Sequence, residues 1–159
     1  MGRVIESHWT VALLLVLAVA CNTNGAEPAQ EKSTAVNWQT DYRQAQQTRI
    51  DKQMPMLIYL TMDGCPHCHR MLETSYENKL VAGQITTQYV PAIINGSRQE
   101  DLAKQFGVRI YPTTFIVGPD NRVVDKMEGF TTASELHRRL TIVSRYYARL
   151  ARMKNNPRR

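Results

Sequence analysis

Past residue 37, short segments with helical and strand-like spacing of apolar residues follow one another along the chain. Apolar runs rich in β-branched and aromatic residues predict buried strands. Four such strands are predicted, at residues 56–62, 88–94, 113–117 and 122–127. The turn residues Pro119, Asp120 and Asn121 separate the last two strands, which predicts a hairpin.

Helices are predicted where apolar residues recur every three or four positions between capping residues. The four predicted helices cover residues 38–52, 66 to about 80, 97–106 and a long segment after Thr132. Ser97 with Glu100 forms a capping box for the third helix, Gly107 ends it, and Thr132 with Glu135 caps the last. The predicted apolar faces of the second and last helices comprise Met71, Leu72, Tyr76 and Leu80, and Leu136, Leu140, Val143, Tyr147 and Leu150.

This order of elements, α-β-α-β-α-β-β-α, predicts an α/β fold with a central mixed sheet of about four strands flanked by helices. A chain of 159 residues has room for one such domain. We assign the domain to residues 37–152 and a basic tail to residues 153–159.

The segment before the domain has the character of an export signal. Residues 10–20 are apolar and uncharged, and this run is too short for a membrane-spanning helix, which needs ~20 residues. Residues 1–20 are therefore predicted to be a signal peptide. The polar, non-periodic residues 21–36 are predicted to be a flexible tether.

Two kinds of cleavage, with and without lipidation, stay open in this segment. Ala18-Val19-Ala20 followed by Cys21 resembles a bacterial lipobox, which would make Cys21 the lipidated first residue and a lipid anchor. The position that is usually Leu in a lipobox is Ala18 here. The alternative is cleavage after Ala20 or Ala26, without lipid. We expect an exported chain, either periplasmic or a membrane-anchored lipoprotein of a bacterium.

The net charge of +6 is concentrated near the C-terminus. Residues 136–159 contain eight Lys and Arg and no acid, whereas residues 22–135 contain eleven basic and thirteen acidic residues. Tyr146 and Tyr147 lie within this basic segment, a combination that also occurs in RNA-binding proteins. For an exported chain an anionic membrane surface is the more suitable partner, so we expect no nucleic acid partner.

One motif between a predicted strand and a predicted helix has redox chemistry. Cys65-Pro66-His67-Cys68 opens the second helix, which is the arrangement of a Cys-x-x-Cys redox site. Unpaired N–H groups and the helix dipole favour an anion at a helix N-terminus. Cys65 is therefore expected to be the exposed nucleophilic thiolate and Cys68 to face inward. Pro66 occupies the first turn, where its missing N–H costs nothing.

Two other functions are compatible with these cysteines. With His67 and His69 they form a Cys-Pro-His-Cys-His cluster, which suggests a copper- or zinc-handling protein. A zinc site usually has two separated ligand pairs, and the sequence has no second pair. A docking module with an inert structural disulfide is the third hypothesis. For the redox hypothesis we expect no cofactor, because the two sulfurs hold the electrons.

The order of elements, the Cys-x-x-Cys at the first strand-to-helix junction and Tyr111-Pro112-Thr113 before the third strand together resemble the thioredoxin-like family, over roughly residues 37–143. The resemblance implies a thioredoxin fold and a monomer that exchanges electrons with protein thiols and disulfides and with a redox partner. It implies a cis bond before Pro112. It also implies that Tyr111, Pro112 and Gly64 contact the substrate.

Three positions depart from cytosolic thioredoxins. Gly64 replaces a tryptophan, Tyr59 replaces a buried acid, and Pro91 replaces a lysine near that acid. The acid is thought to help deprotonate the second cysteine during exchange. Tyr59, with an ordinary pKa of ~10, is a poor substitute at neutral pH. The absence of the acid argues against fast reductase behaviour.

The dipeptide Pro66-His67 resembles that of the periplasmic disulfide oxidases. A protonated histidine beside the thiolate stabilises the reduced state and so raises the reduction potential. The reduction potential is about −120 mV for those oxidases against about −270 mV for thioredoxin. No segment resembles their large helical insertion, so only the electrostatic role is transferred to His67. The sequence leaves the direction of electron flow open.

Overall fold

The computed structural model describes residues 35–155. The signal peptide predicted at residues 1–20, the candidate lipid anchor Cys21 and most of the predicted tether lie outside the described residues. So do residues 156–159 of the predicted basic tail.

Within these described residues the central sheet has four strands in the order β2-β1-β3-β4. β1 pairs in parallel with β2 and antiparallel with β3, and β3 pairs antiparallel with β4. The predicted mixed sheet of about four strands is therefore confirmed, and each predicted strand lies within two residues of an observed one. The strands are β1 Met56–Thr61, β2 Val90–Asn95, β3 Thr113–Val117 and β4 Val123–Glu128.

Five α-helices and one π-helical segment flank this sheet in the described part of the chain. They are α1 Tyr42–Lys52, α2 Pro66–Met71, the π-helical segment Leu72–Tyr76, α3 Lys79–Gln88, α4 Glu100–Gln105 and α5 Ala133–Asn155. Asp41 caps α1 and accepts hydrogen bonds from two backbone N–H groups of its first turn. Thr132 caps α5 as predicted, because its Oγ1 accepts the N–H of Glu135 at 3.4 Å. α5 continues to Asn155, past the predicted domain end.

The two faces of the sheet cover two apolar clusters because successive side chains of a strand point to opposite faces. Leu57 and Tyr59 of β1 belong to the cluster that packs against α2, α3 and α5. Met56, Ile58 and Leu60 belong to the cluster that packs against α1 and α4. β1 is buried on both faces, which explains its continuous apolar sequence.

The helix predicted for residues 66 to 80 is wrong in its second half. The π-helical segment ends at Tyr76, and Asn78 then starts a new helix by accepting the N–H of Leu80 at 3.1 Å. Leu80, predicted on a buried face, is 68% exposed because it lies in the first turn of this new helix. The rest of α3 was not predicted.

The capping box predicted at Ser97 is also wrong. α4 begins at Glu100 after Gln99, which makes no side-chain capping bond. The Ser97 hydroxyl instead accepts the backbone N–H of Asp63 at 3.1 Å, in the turn that leads to Cys65. Gly107 ends α4 in the left-handed region as predicted, with φ of +61°.

Candidate active site

The Cys-x-x-Cys motif lies in the turn between the carboxyl end of β1 and α2. Gly64 has φ of +68°, a conformation that glycine adopts without the steric cost of a Cβ. Asp63 fixes the turn to the end of β2, because its Oδ1 accepts the Asn95 side-chain N–H at 2.7 Å. The chain therefore reverses at Gly64 and presents Cys65 at the start of a helix.

Cys65 and Cys68 are joined by a disulfide, with their Cα atoms 5.3 Å apart. Cys65 is 8% exposed and Cys68 is 1% exposed. The predicted difference in exposure is thus present but small, because in the disulfide the two sulfurs cover each other. Cys65 is the N-cap residue of α2, and its Sγ accepts the backbone N–H of Cys68 at 3.2 Å.

Three aromatic rings pack together in the cluster that also contains the disulfide. The ring centroids of Tyr59 and Tyr76 are 4.8 Å apart, and those of Trp38 and Tyr76 are 4.9 Å apart. The Tyr59 hydroxyl donates to the backbone carbonyl of Cys68 at 2.9 Å, and the Tyr76 hydroxyl bonds to Thr114 at 2.7 Å. Burial raises the pKa of Tyr59. Tyr59 is therefore a hydrogen-bond donor that supports α2, and at neutral pH it has no capacity to accept a proton.

Replacing Tyr59 with Phe is expected to lower the free energy of unfolding by about 1 kcal/mol. The loss is modest because the Cys68 carbonyl keeps the N–H of Leu72 as a second donor. Burial of Tyr59 also makes stability depend on pH. Because the pKa of Tyr59 is raised in the folded state, its contribution to folding is fully present below pH ~10, where an unfolded tyrosine is still protonated. This contribution is lost as pH rises through the folded pKa. Urea unfolding of wild type and Tyr59→Phe across this range measures it.

Tyr76→Phe is the comparison, because it removes the hydrogen bond between the Tyr76 hydroxyl and the buried hydroxyl of Thr114. It is expected to cost more than Tyr59→Phe, about 1–3 kcal/mol. Equal stability of wild type and Tyr59→Phe at neutral pH would show that the bond to Cys68 does not support α2.

The segment before β3 lies at the same end of the sheet as the motif. Thr113 is paired with Leu60 of β1, so Pro112 lies next to the end of β1 from which the motif extends. The Tyr111–Pro112 bond is cis, as the resemblance implied. The Pro112 carbonyl accepts the N–H of Gly129 at 2.7 Å, which ties this segment to the loop before α5.

The side chain of Tyr111 is half-buried. It packs at the border of both apolar clusters, and its hydroxyl end lies directly over Gly96, in the space that a Cβ there would fill. The missing side chain at Gly96 therefore leaves the space that the Tyr111 hydroxyl occupies.

Gly96→Ala is expected to displace the Tyr111 ring and weaken turnover of protein disulfides, because the new methyl group would overlap the Tyr111 hydroxyl. The overlap is with the end of a side chain, so we expect the fold to survive with a destabilisation of about 1–3 kcal/mol. Thermal melting and turnover with a protein disulfide measure both effects.

Gly83→Ala is the matched control, since a Cβ there meets open space. In the middle of α3 it should raise stability by about 0.5–1 kcal/mol and leave turnover unchanged. If Gly96→Ala melts and turns over like wild type, then Gly96 does not fix Tyr111.

The remaining predicted site residues lie on the surface around the disulfide. Pro66 is the first residue of α2, and Pro66, His67 and His69 are exposed. Within residues 35–155 no three His, Cys, Asp or Glu side chains are grouped so that they would hold a metal ion. The copper- or zinc-handling alternative therefore finds no support in this part of the chain.

Sequence analysis did not predict several contacts of the site. Tyr76 and Thr114 join the active-site helix to β3, and Ser75 donates to the carbonyl of Thr131 at 2.7 Å. Arg70 lies over the ring of Phe130, 4.6 Å from the ring centroid. The spacing of Tyr76 gave a signal for burial, but no sequence signal gave these partners, which are 38 to 60 residues away along the chain.

A strand-to-helix turn with a Cys-x-x-Cys disulfide, next to a cis-proline segment on the adjacent strand, defines a thiol–disulfide oxidoreductase. The chain belongs to the thioredoxin-like family, since a family model described as a thioredoxin-like domain matches residues 42–143. The resemblance stated from the sequence is therefore confirmed.

Solved structures confirm the thioredoxin fold. A thioredoxin from Thermus thermophilus is 19% identical with a TM-score of 0.63, and the alignment covers 69% of this chain and 87% of that one. The first thioredoxin domain of mouse protein disulfide-isomerase A4 is 25% identical with a TM-score of 0.55 and coverages of 70% and 76%. The oxidised C-terminal domain of Neisseria meningitidis DsbD is 18% identical with a TM-score of 0.55 and coverages of 64% and 94%. No curated protein matches the sequence.

Proposed function

We propose that this protein is an exported thiol–disulfide oxidoreductase that exchanges electrons with protein disulfides through Cys65 and Cys68. One observation supports the roles of the two cysteines most directly. The Sγ of Cys65 accepts the N–H of Cys68 at the N-terminus of α2. After reduction the same donor and the helix dipole stabilise a thiolate on Cys65.

In the reductive direction the Cys65 thiolate attacks a substrate disulfide. One substrate sulfur bonds to Cys65 Sγ, and the other leaves as a thiolate with the electron pair of the broken bond. Cys68 then loses its proton to solvent and attacks Cys65 Sγ. This step forms the Cys65–Cys68 disulfide and releases the second substrate thiolate. The oxidative direction is the reverse of these steps.

The exposed residues around the disulfide have supporting roles in this proposal. A positive charge on His67 stabilises the reduced form and raises the reduction potential. The backbone of Tyr111 pairs with an extended substrate segment, and Pro112 and Gly64 border that segment. The half-buried ring of Tyr111 shapes this edge.

Export is proposed from the sequence of residues 1–20, and membrane attachment from Cys21 and the basic C-terminal segment. Within the described chain, no helix combines the length and apolar character needed to cross a bilayer. We propose attachment through lipidation of Cys21, through surface binding of the basic segment, or through both. A single acyl chain holds a protein only marginally at a membrane, so a second contact would strengthen it. We propose a monomer without a nucleic acid partner.

Alkylation of the reduced protein tests the roles of the two cysteines. At pH 6 iodoacetamide should label Cys65 much faster than Cys68, as measured by mass spectrometry of peptides that separate the two residues. Urea-unfolded protein is the control, since both thiols should react there at the same rate. Equal labelling rates in the folded protein would contradict the assignment of Cys65 as the nucleophile.

A further inference from the structure

From Ile142 onward, α5 has an apolar stripe that is exposed rather than packed against the other described elements. Ile142, Tyr146 and Met153 are more than half exposed, and Leu150 is 42% exposed. Their spacings of four, four and three residues place them on one face of the helix. A groove of about 350 Å³ lies beside the stripe, lined by Val124, Ile142, Val143, Tyr146 and Tyr147. The stripe is therefore distinct from the face of α5 that packs in the core. Leu150, predicted on that face, belongs to the exposed stripe instead.

A row of basic side chains lies beside this stripe. Arg145, Arg149 and Arg152 are exposed, and their spacings of four and three residues place them on one flank of the helix. No acidic residue occurs after Glu135. We call the stripe and the three arginines together the α5 ridge. A stripe of apolar side chains flanked by arginines is the pattern of helices that lie in the headgroup region of a membrane.

The C-terminal part of the α5 ridge lies at the opposite end of the sheet from the disulfide. α5 begins beside the active site, where the Thr131 carbonyl accepts the Ser75 hydroxyl. It ends near the start of β1, where Pro55 and Ala151 line one groove. The six residues of β1, at ~3.3 Å each, separate the two ends by ~20 Å. A surface bound to the α5 ridge would leave the disulfide open to substrate proteins.

We propose that the α5 ridge binds an anionic phospholipid surface, with its apolar stripe between the headgroups and its arginines on the phosphates. The proposal specifies how the basic segment contacts the membrane, and it does not depend on the redox function. A second copy of the chain fits less well, because a two-fold contact along the stripe would bring the arginine rows of both copies close together. A nucleic acid also fits less well, because its phosphates would bind the arginines but leave the apolar stripe exposed to water.

Vesicle binding tests the proposal with the full chain carrying Cys21→Ala, so that no acyl chain at that residue contributes. The readout is the increase in binding when phosphatidylglycerol is added to phosphatidylcholine vesicles. All variants share the same N-terminal segment, so differences between them report on α5. We expect a clear increase for the unmodified ridge, and we expect it to fall as salt is raised.

Two double variants separate the charge from the apolar stripe. Arg145→Glu with Arg149→Glu should reduce the phosphatidylglycerol-dependent binding at least about tenfold. Tyr146→Ser with Leu150→Ser should also reduce it, although the net charge is unchanged. Arg43→Glu with Lys52→Glu is the matched control on the exposed face of α1, and it should retain most of the binding.

Three results would overturn the proposal. One is no increase with phosphatidylglycerol. Another is an equal loss in the α1 control, which would indicate only net charge. The third is a concentration-dependent dimer that the Tyr146 and Leu150 substitutions abolish, because a second copy would then occupy the ridge. Turnover with a protein disulfide should be normal in all ridge variants. This outcome separates a failure of the ridge from a failure of the proposed redox function.

Discussion

Cys68→Ser is expected to accumulate mixed disulfides with substrate proteins through Cys65, and Cys65→Ser is expected to accumulate almost none. The reason is that Cys65 lies at the helix N-terminus with its sulfur accepting an N–H, whereas Cys68 is almost fully buried beneath it. Without Cys68 the first exchange proceeds but the protein's own resolving step is lost. Non-reducing electrophoresis of each variant with a protein disulfide substrate measures the covalent adducts.

The double variant Cys65→Ser with Cys68→Ser is the control, and it should form no adduct. Turnover should be lost in all three variants. Adducts of similar yield with both single variants would show that the two thiols are equivalent, and the directional mechanism would then be wrong.

His67→Ala is expected to lower the reduction potential of the Cys65–Cys68 couple by tens of millivolts, with 30 mV corresponding to ~1.4 kcal/mol for two electrons. His67 is exposed between the two cysteines. A positive charge there favours the Cys65 thiolate and therefore the reduced form. Equilibration with glutathione, read by alkylation and mass spectrometry, measures the change.

His69→Ala is the matched control, since His69 is also exposed but follows Cys68. It should shift the potential less than His67→Ala. If both substitutions shift the potential equally, or if neither does, then His67 has no specific effect on the thiolate.

The sequence predicted the sheet well because its strands are buried and rich in β-branched residues. β1 is covered on both faces, so its sequence is continuously apolar, and Thr113–Val117 was predicted to the residue. The motif was predicted for a local reason as well, because Cys65, Pro66 and the strand before them are neighbours along the chain. Its place beside Pro112 came from the family resemblance.

The parts that were missed depend on competing caps and on partners distant along the chain. Asn78 interrupts a helical apolar pattern that otherwise continues, and it starts α3 where one helix was predicted. Ser97 has the sequence of a cap, but its hydroxyl bonds to Asp63, 34 residues away. Likewise no local pattern indicates that Gly96 makes room for Tyr111. Such contacts depend on how the strands are ordered in the sheet, and spacing along one segment does not show that order.

The reduction potential of the Cys65–Cys68 couple tests the central claim most directly. The purified protein should equilibrate reversibly with glutathione buffers, at a reduction potential above the about −270 mV of thioredoxin because of His67. A potential below about −300 mV, with no exchange with glutathione, would be that of a structural disulfide. That result would contradict a redox function for this site.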